Sequence, residues 1–155
     1  MFEISVKDDE LNAALGRIAA GLSDTTPLAR VIAGTLASET ERNFAAQGRP
    51  AWLGLKPATI FRRTRAGTWP GKILQVSGKL AASVATDYGR DYARVGSNRV
   101  YAAIQQFGGQ AGRGRKTTIP ARPYLPIDAA GNLQAQARTA VLDDVNTYLR
   151  SLVTS

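Results

Sequence analysis

From Pro27 to Gly48 the chain reads as one long amphipathic helix, and any fold it adopts must give that helix something to pack on. Proline suits a first turn, where its missing N–H leaves nothing unsatisfied. Leu28, Val31, Ile32, Thr35, Leu36 and Phe44 recur at helical spacing and make the apolar stripe, while Arg30, Glu41 and Arg42 fall on the opposite face. Gly48 and Pro50 stop the helix. The flanking segments offer partners for the stripe. Phe2, Ile4 and Val6 alternate with polar residues, as in a half-buried strand. Asp8 or Asp9 then supplies an N-cap, and Leu11, Leu15, Ile18 and Leu22 trace one face of a helix that Ser23 and Asp24 break. Near the other end, Asp128 or Asn132 caps a last helix from about Leu133 to Val153. Leu133, Ala137, Ala140, Val141, Tyr148, Leu149 and Leu152 mark its inner side, with Asp144 as a polar imperfection.

The middle of the chain is irregular. In residues 49–75, an extended arm, Trp52, Leu53 and Leu55 are apolar anchors. Pro57 to Arg65 predicts a short helix with Ile60 and Phe61 inward and its arginines outward, and Ala66 to Gly71 a mobile connection. Ser77 to Ala82 reads as a helical turn. Val84, Thr86 and Tyr88 alternate, as do Tyr92 and Arg94, around Gly89-Arg90-Asp91, which predicts a β-hairpin. Tyr101, Ile104 and Phe107 recur every three residues and would pin a short helix that Gly108-Gly109 ends. Residues 108–118, GGQAGRGRKTT, predict an exposed, flexible loop that orders on assembly. Pro120, Pro123 and Pro126 confine Ile119 to Ile127 to an edge strand or extended segment. No solenoid repeat occurs. The fold class is α+β: one domain over 1–155, a small mainly antiparallel sheet packed against helices, with the 49–75 arm and the 108–118 loop.

Composition narrows function. The chain has no cysteine and no histidine. Disulfides, thiol catalysis, imidazole triads and histidine metal sites are thereby excluded. The twelve acidic residues form no paired catalytic motif, so a carboxylate-dependent hydrolase is the remaining enzyme class, and no enzyme, cofactor or metal is expected. No apolar run reaches the ~20 residues that span a bilayer, and the acidic, alternating MFEISVKDDE does not resemble a signal peptide. The net charge of +8 collects in Arg62, Arg63, Arg65 and Lys72 and in Arg113, Arg115 and Lys116. These clusters suit an acidic neighbouring subunit or nucleic acid, but no stacking aromatics are interleaved with them. Trp69, in a Gly/Pro-rich stretch, is a candidate interface anchor, with packing back on its own domain as the alternative. Arg122 is a candidate for a salt bridge to a neighbouring subunit, with an intrachain bond as the equal alternative.

Three segments share a familiar order. The first is Trp52, Leu55, Pro57, Ala58, Thr59 and Ile60. The second is Ile73-Leu74-Gln75 with Ser77-Gly78 and Leu80. The third is Val95-Gly96-Ser97, then Tyr101 to Gly109, closed by Ile119 to Leu125. Together they resemble the phage virion morphogenesis family of Mu G-like tail completion proteins, over about residues 1–150. Family members often have histidine where Gln105 stands and serine where Lys56 stands. The resemblance implies a structural virion protein, assembled in the host cytoplasm, with a fold akin to ring-forming tail terminators. It implies a homo-oligomeric ring, often a hexamer, that contacts the tail tube and the head–tail connector around the DNA channel. A head-completion or stopper protein, or a DNA-binding accessory protein of the neck, is the alternative.

Overall fold

In a computed structural model, residues 9–154 are described; the strand expected at Phe2, Ile4 and Val6 lies outside them, as do the candidate cap Asp8 and the side chain of Leu11. Helix α1 spans Asp9–Ser23 and α2 spans Thr26–Ala46, joined by two residues. Pro27 sits in the first turn of α2. At its C-terminus Gln47 adopts a left-handed conformation, and the Gly48 N–H returns to the Asn43 carbonyl at 2.8 Å. Gly48 has φ +99°, and a Cβ there would lie 2.4 Å from the Trp52 ring, so both backbone and packing require glycine.

After α2 come α3 (Pro57–Arg65), α4 (Lys79–Ala82) and a hairpin of β1 (Val84–Tyr88) and β2 (Ala93–Ser97). The hairpin register pairs Val84 with Ser97 and Tyr88 with Ala93, close to the expected strands. Helix α5 (Ala102–Phe107) leads into a second hairpin, β3 (Gly109–Ala111) and β4 (Thr117–Ile119), with a 3-10 turn at Arg113–Arg115. The last helix, α6, is Ala135–Thr154. The class is α+β, but the strands form two separate two-stranded antiparallel sheets rather than one. Helix α2 is the central wall: β1, β2 and α6 pack on it, and α1 packs on α6.

The apolar core is small. Phe44, Trp52, Leu80, Ala102 and Tyr124 form it, with Ile73, Leu74 and Leu125 against them. Phe44 meets Trp52 edge-on at 6.1 Å and Tyr124 at 5.2 Å, arrangements that suit ring quadrupoles. Thr35 and Asp144, the polar members of two apolar stripes, find each other: the Thr35 hydroxyl donates to Asp144 Oδ2 at 2.6 Å.

Several expectations change. Leu15 and Leu22 are each 54% exposed, because α6 is the neighbour that covers α1 and a single helix shields only a narrow arc. Phe61 and Phe107 are exposed rather than inward; Ala102 and Gln106 are the residues of α5 that are buried. The 108–118 segment is not a structureless loop but a hairpin, since its glycines at 108, 112 and 114 take the positive φ its reversals need. Asp128 does not cap α6. Its Oδ1 accepts from the backbone N–H of Ala130 and Asn132, both at 2.9 Å, and closes the turn before Leu133.

Candidate functional site

The chain from Pro120 to Pro126 cannot form a ladder, because its prolines lack the donor. Side chains hold it instead. Gln106 Oε1 accepts from the backbone N–H of Tyr124 at 3.0 Å and of Leu125 at 2.9 Å, and its Nε2 donates to the Ile127 carbonyl at 3.2 Å. Asn43 Nδ2 donates to the Tyr124 carbonyl at 3.1 Å and to Gln134 Oε1 at 2.9 Å. Trp52 Nε1 donates to the Pro123 carbonyl at 2.9 Å. Behind Asn43, Arg49 donates to Asn43 Oδ1 at 2.9 Å and to Glu39 Oε2 at 2.6 Å, and Arg42 reaches Glu39 Oε1 at 2.5 Å. Glu39 is buried, and these two guanidiniums compensate its charge.

This clasp places one wall of a cleft of about 470 Å³. Thr117, Thr118, Ile119 and Pro120 line that wall; Leu53 to Lys56, Arg62, Arg63, Ile73, Leu74, Val76 and Ser77 line the other. The arm and the glycine-rich hairpin, separate excursions in sequence, therefore meet at one place. Every charged residue in the lining is basic: Lys56, Arg62, Arg63 and Arg122. Such a cleft focuses a positive potential. Its apolar lining includes Leu53 and Val76, both more than half exposed.

The sequence candidates divide among four positions. Arg122 is buried, and its Nε and Nη2 donate to the carbonyls of Leu53 at 3.0 Å and Gly54 at 3.1 Å. Of the two readings of this residue, the intrachain bond is the one present. Burial first, and the neighbouring Arg63 second, push the Arg122 guanidinium below its usual pKa. Arg63 is half-buried and donates to the Ile73 carbonyl at 2.8 Å, tying α3 to the far end of the arm. Arg62 is exposed at the cleft, with one weak bond to Thr59 at 3.5 Å. Arg65 lies over the Phe61 ring, 5.9 Å from its centroid, and does not line the cleft. Arg113, Arg115 and Lys116 are exposed at the hairpin tip. Trp69 is half-buried in the connection after α3, where the Thr68 N–H bonds the Arg63 carbonyl at 2.8 Å.

Sequence reasoning missed Lys56 as a cleft residue, the buried Glu39, Asn43 and Gln106, and the half-buried Arg49. A signal existed for three of these: Glu39 and Asn43 fall on the same side of α2 as Leu36 and Phe44, and Gln106 lies within the Tyr101–Gly109 motif. Among the described residues no three acidic side chains gather as a metal site needs, and no helix is long and apolar enough to cross a membrane.

Known proteins give a consistent picture. The chain is 41% identical over 154 residues to the Mu-like prophage FluMu G protein 2 of Haemophilus influenzae, covering 99% of each chain. It is 42% identical over 107 residues to the putative capsid assembly protein G of Escherichia phage Mu, covering 66% of this chain and 69% of that one. The FluMu G protein 1 of the same Haemophilus strain is 33% identical over 123 residues, covering 76% of this chain and 79% of that one. No solved structure gives a significant match. Residues 6–150 match the phage virion morphogenesis family, and the chain belongs to that family.

Proposed function

We propose that this protein is a structural subunit of a tailed-phage particle. It forms a closed homo-oligomeric ring, of tail-terminator type and six-fold, that completes the tail and joins it to the head. Its partners are sister copies, the tail tube and the head–tail connector, and it resides in the virion neck.

Its surface carries the reading. The chain exposes 10635 Å², whereas a compact monomer of 16.5 kDa exposes about 7,500 Å². Counting the nine undescribed residues as fully extended accounts for at most ~1,400 Å² of the difference. Roughly 1,700 Å² remains on the one chain, about twice the ~800 Å² that each partner gives to a standard interface, as two faces per subunit would need. That excess is apolar in part: Leu142, Leu149 and Val153 follow one another at helical spacing along α6 and are exposed. Such stripes on a soluble chain mark surfaces that partners cover. A ring needs two unlike faces per subunit, and a contact that repeats head to tail closes by rotation.

Native mass spectrometry and light scattering test the ring. The expected mass is near six times 16.5 kDa, and a chain that stays monomeric at high concentration refutes it. Cryo-EM of the particle neck tests its position against that of a stopper below the portal. One observation favours an added DNA contact in the channel: Arg113, Arg115 and Lys116 are exposed at a hairpin tip, and among the described residues none of them is ion-paired. If they meet three phosphates, duplex affinity falls with salt at a log–log slope near −3; undetectable binding at low salt removes the contact.

A further inference from the structure

We propose that the basic cleft between the arm and the second hairpin receives the N-terminal segment, residues 2–8, of the adjacent copy in the ring. The inference rests on the self-assembly reading above and specifies its contact.

Three observations converge on it. The first is the cleft's chemistry. Its lining combines apolar side chains with four basic ones and no carboxylate. A complementary segment is therefore extended, part apolar and acidic. In a chain of net charge +8, residues 2–8 carry Glu3 and Asp8 against Lys7, and Asp9 and Glu10 follow at once in the first turn of α1, so this end is acidic. Phe2, Ile4 and Val6 alternate there with Glu3, Ser5 and Lys7. On an extended backbone the first set faces one side and the second set the other.

The second is an open strand edge. β4 pairs only with β3, and among the described residues its outer edge makes no backbone hydrogen bond. Thr117, Thr118 and Ile119 nevertheless line the cleft. An extended segment laid there adds a third strand, with main-chain bonds supplying affinity and alternate side chains supplying choice.

The third is reach, which decides between the chain's own segment and a neighbour's. Asn43 meets Gln134 and Thr35 meets Asp144, so α6 runs antiparallel to α2. Tyr148 donates to the Gly21 carbonyl and Arg17 to the Val153 carbonyl, so α1 runs antiparallel to α6. Helix α1 thus approaches α2 from beyond its N-terminal end, whereas the cleft adjoins its C-terminal end, where Gln47 binds the Ile73 N–H. The 21 residues of α2 alone span about 31 Å, and α1 extends away from there. Residues 1–8 reach at most ~28 Å when fully extended. They cannot fill the cleft of their own chain. A neighbouring copy's segment can, and a contact between opposite ends of two subunits is the head-to-tail kind that a ring repeats.

The test exploits the absence of cysteine. The full chain carrying Ser5→Cys and Thr118→Cys is assembled and treated with a flexible bis-maleimide. A ladder of covalent multiples of the chain is expected. In parallel, Lys56→Glu with Arg62→Glu, two exposed side chains outside the core, should weaken assembly at least tenfold. Adding Glu3→Lys and Asp8→Lys to the same chain should restore it. Should the charge-reversed protein fail to fold, a labelled MFEISVKDDE peptide supplies a second reading: the wild-type chain should bind it saturably, and a Ser5→Cys/Thr118→Cys ring already cross-linked should not. Closed rings that give no ladder and are indifferent to the charge reversal overturn this contact and leave the ring standing. Cross-linked monomers in place of a ladder overturn it as well. A wild-type chain that never oligomerises overturns both proposals.

Discussion

Gln106→Ala should be among the most damaging single substitutions in this protein, although it removes no charge and no large apolar group. Gln106 is 1% exposed. Its amide serves three backbone groups of the proline-rich segment: the N–H of Tyr124, the N–H of Leu125 and the carbonyl of Ile127. Alanine leaves all three without their partner. Each buried orphan costs about 1–3 kcal/mol, less whatever an entering water recovers. A net loss of about 3–4 kcal/mol follows, a large share of the 5–15 kcal/mol typical of a domain. In a thermal scan that is a fall of roughly 6–16 °C for a chain of this length. Urea unfolding at fixed protein concentration measures the loss directly, with Gln105→Ala as the control. Gln105 is half-buried and adjacent, and its backbone carbonyl, which accepts from the Arg122 N–H, is untouched. It should change stability by less than about 1 kcal/mol. If the two substitutions prove equal, or Gln106→Ala costs under about 1 kcal/mol, the clasp does not hold the segment.

Arg122→Leu should cost about 2–3 kcal/mol by orphaning the carbonyls of Leu53 and Gly54, and limited proteolysis should then cut within residues 49–75 before any other site. Gly108→Ala places a Cβ at φ +72°, 2.7 Å from the Ala121 nitrogen and 2.8 Å from the Ile119 oxygen, so it should destabilise by more than about 2 kcal/mol. Gly16→Ala, with nothing within 4 Å, should stabilise α1 by up to about 1 kcal/mol in the same urea assay. The Asp128 carboxyl is held below 3.8, chiefly by the Asn132 N–H. The stability this supplies is present above the unfolded value and is lost as pH falls through the lower folded value. Asp128→Asn keeps an acceptor oxygen and should remove that part of the urea-midpoint drop as pH falls below the ordinary aspartate value. The melting temperature of the wild type should rise with protein concentration, because assembly binds only the folded state; a constant value over a hundredfold range counts against the ring.

Helices and strands whose signal is periodic were legible in the sequence. The span of α2, its stop at Gly48, the end of α1 at Ser23 and the hairpin that starts at Val84 all follow from spacing and turn residues. What periodicity does not carry is which part of a stripe is covered. Leu15, Leu22 and Val31 fall at inward positions of their helices and are exposed, since coverage depends on how many neighbours a helix has. The order of the glycine-rich segment was likewise illegible, because positive-φ glycines serve a tight hairpin and a floppy loop equally well. At the cleft, the basic residues of the arm and Arg122 were visible as separate candidates, but their meeting with each other and with β4 was not. It depends on hydrogen bonds from Gln106, Asn43 and Trp52 across long sequence separations, and side-chain-to-backbone bonds leave no repeat to detect.

The clasp also explains why the cleft has a fixed width. An apolar floor would hold the proline-rich segment but would tolerate its sliding, since hydrophobic contact is non-directional. Polar groups do not tolerate it. A shift of one residue would take the Tyr124 and Leu125 N–H groups away from Gln106 Oε1 and the Pro123 carbonyl away from Trp52 Nε1, leaving several buried groups unpaired at once. One alignment therefore satisfies the set. It fixes β4, five residues upstream of Tyr124, and it fixes Arg122, whose guanidinium holds the Leu53–Gly54 backbone on the opposite side. Both walls are thus referenced to the same buried residues, and the surface offered to a partner is as rigid as the core beneath it.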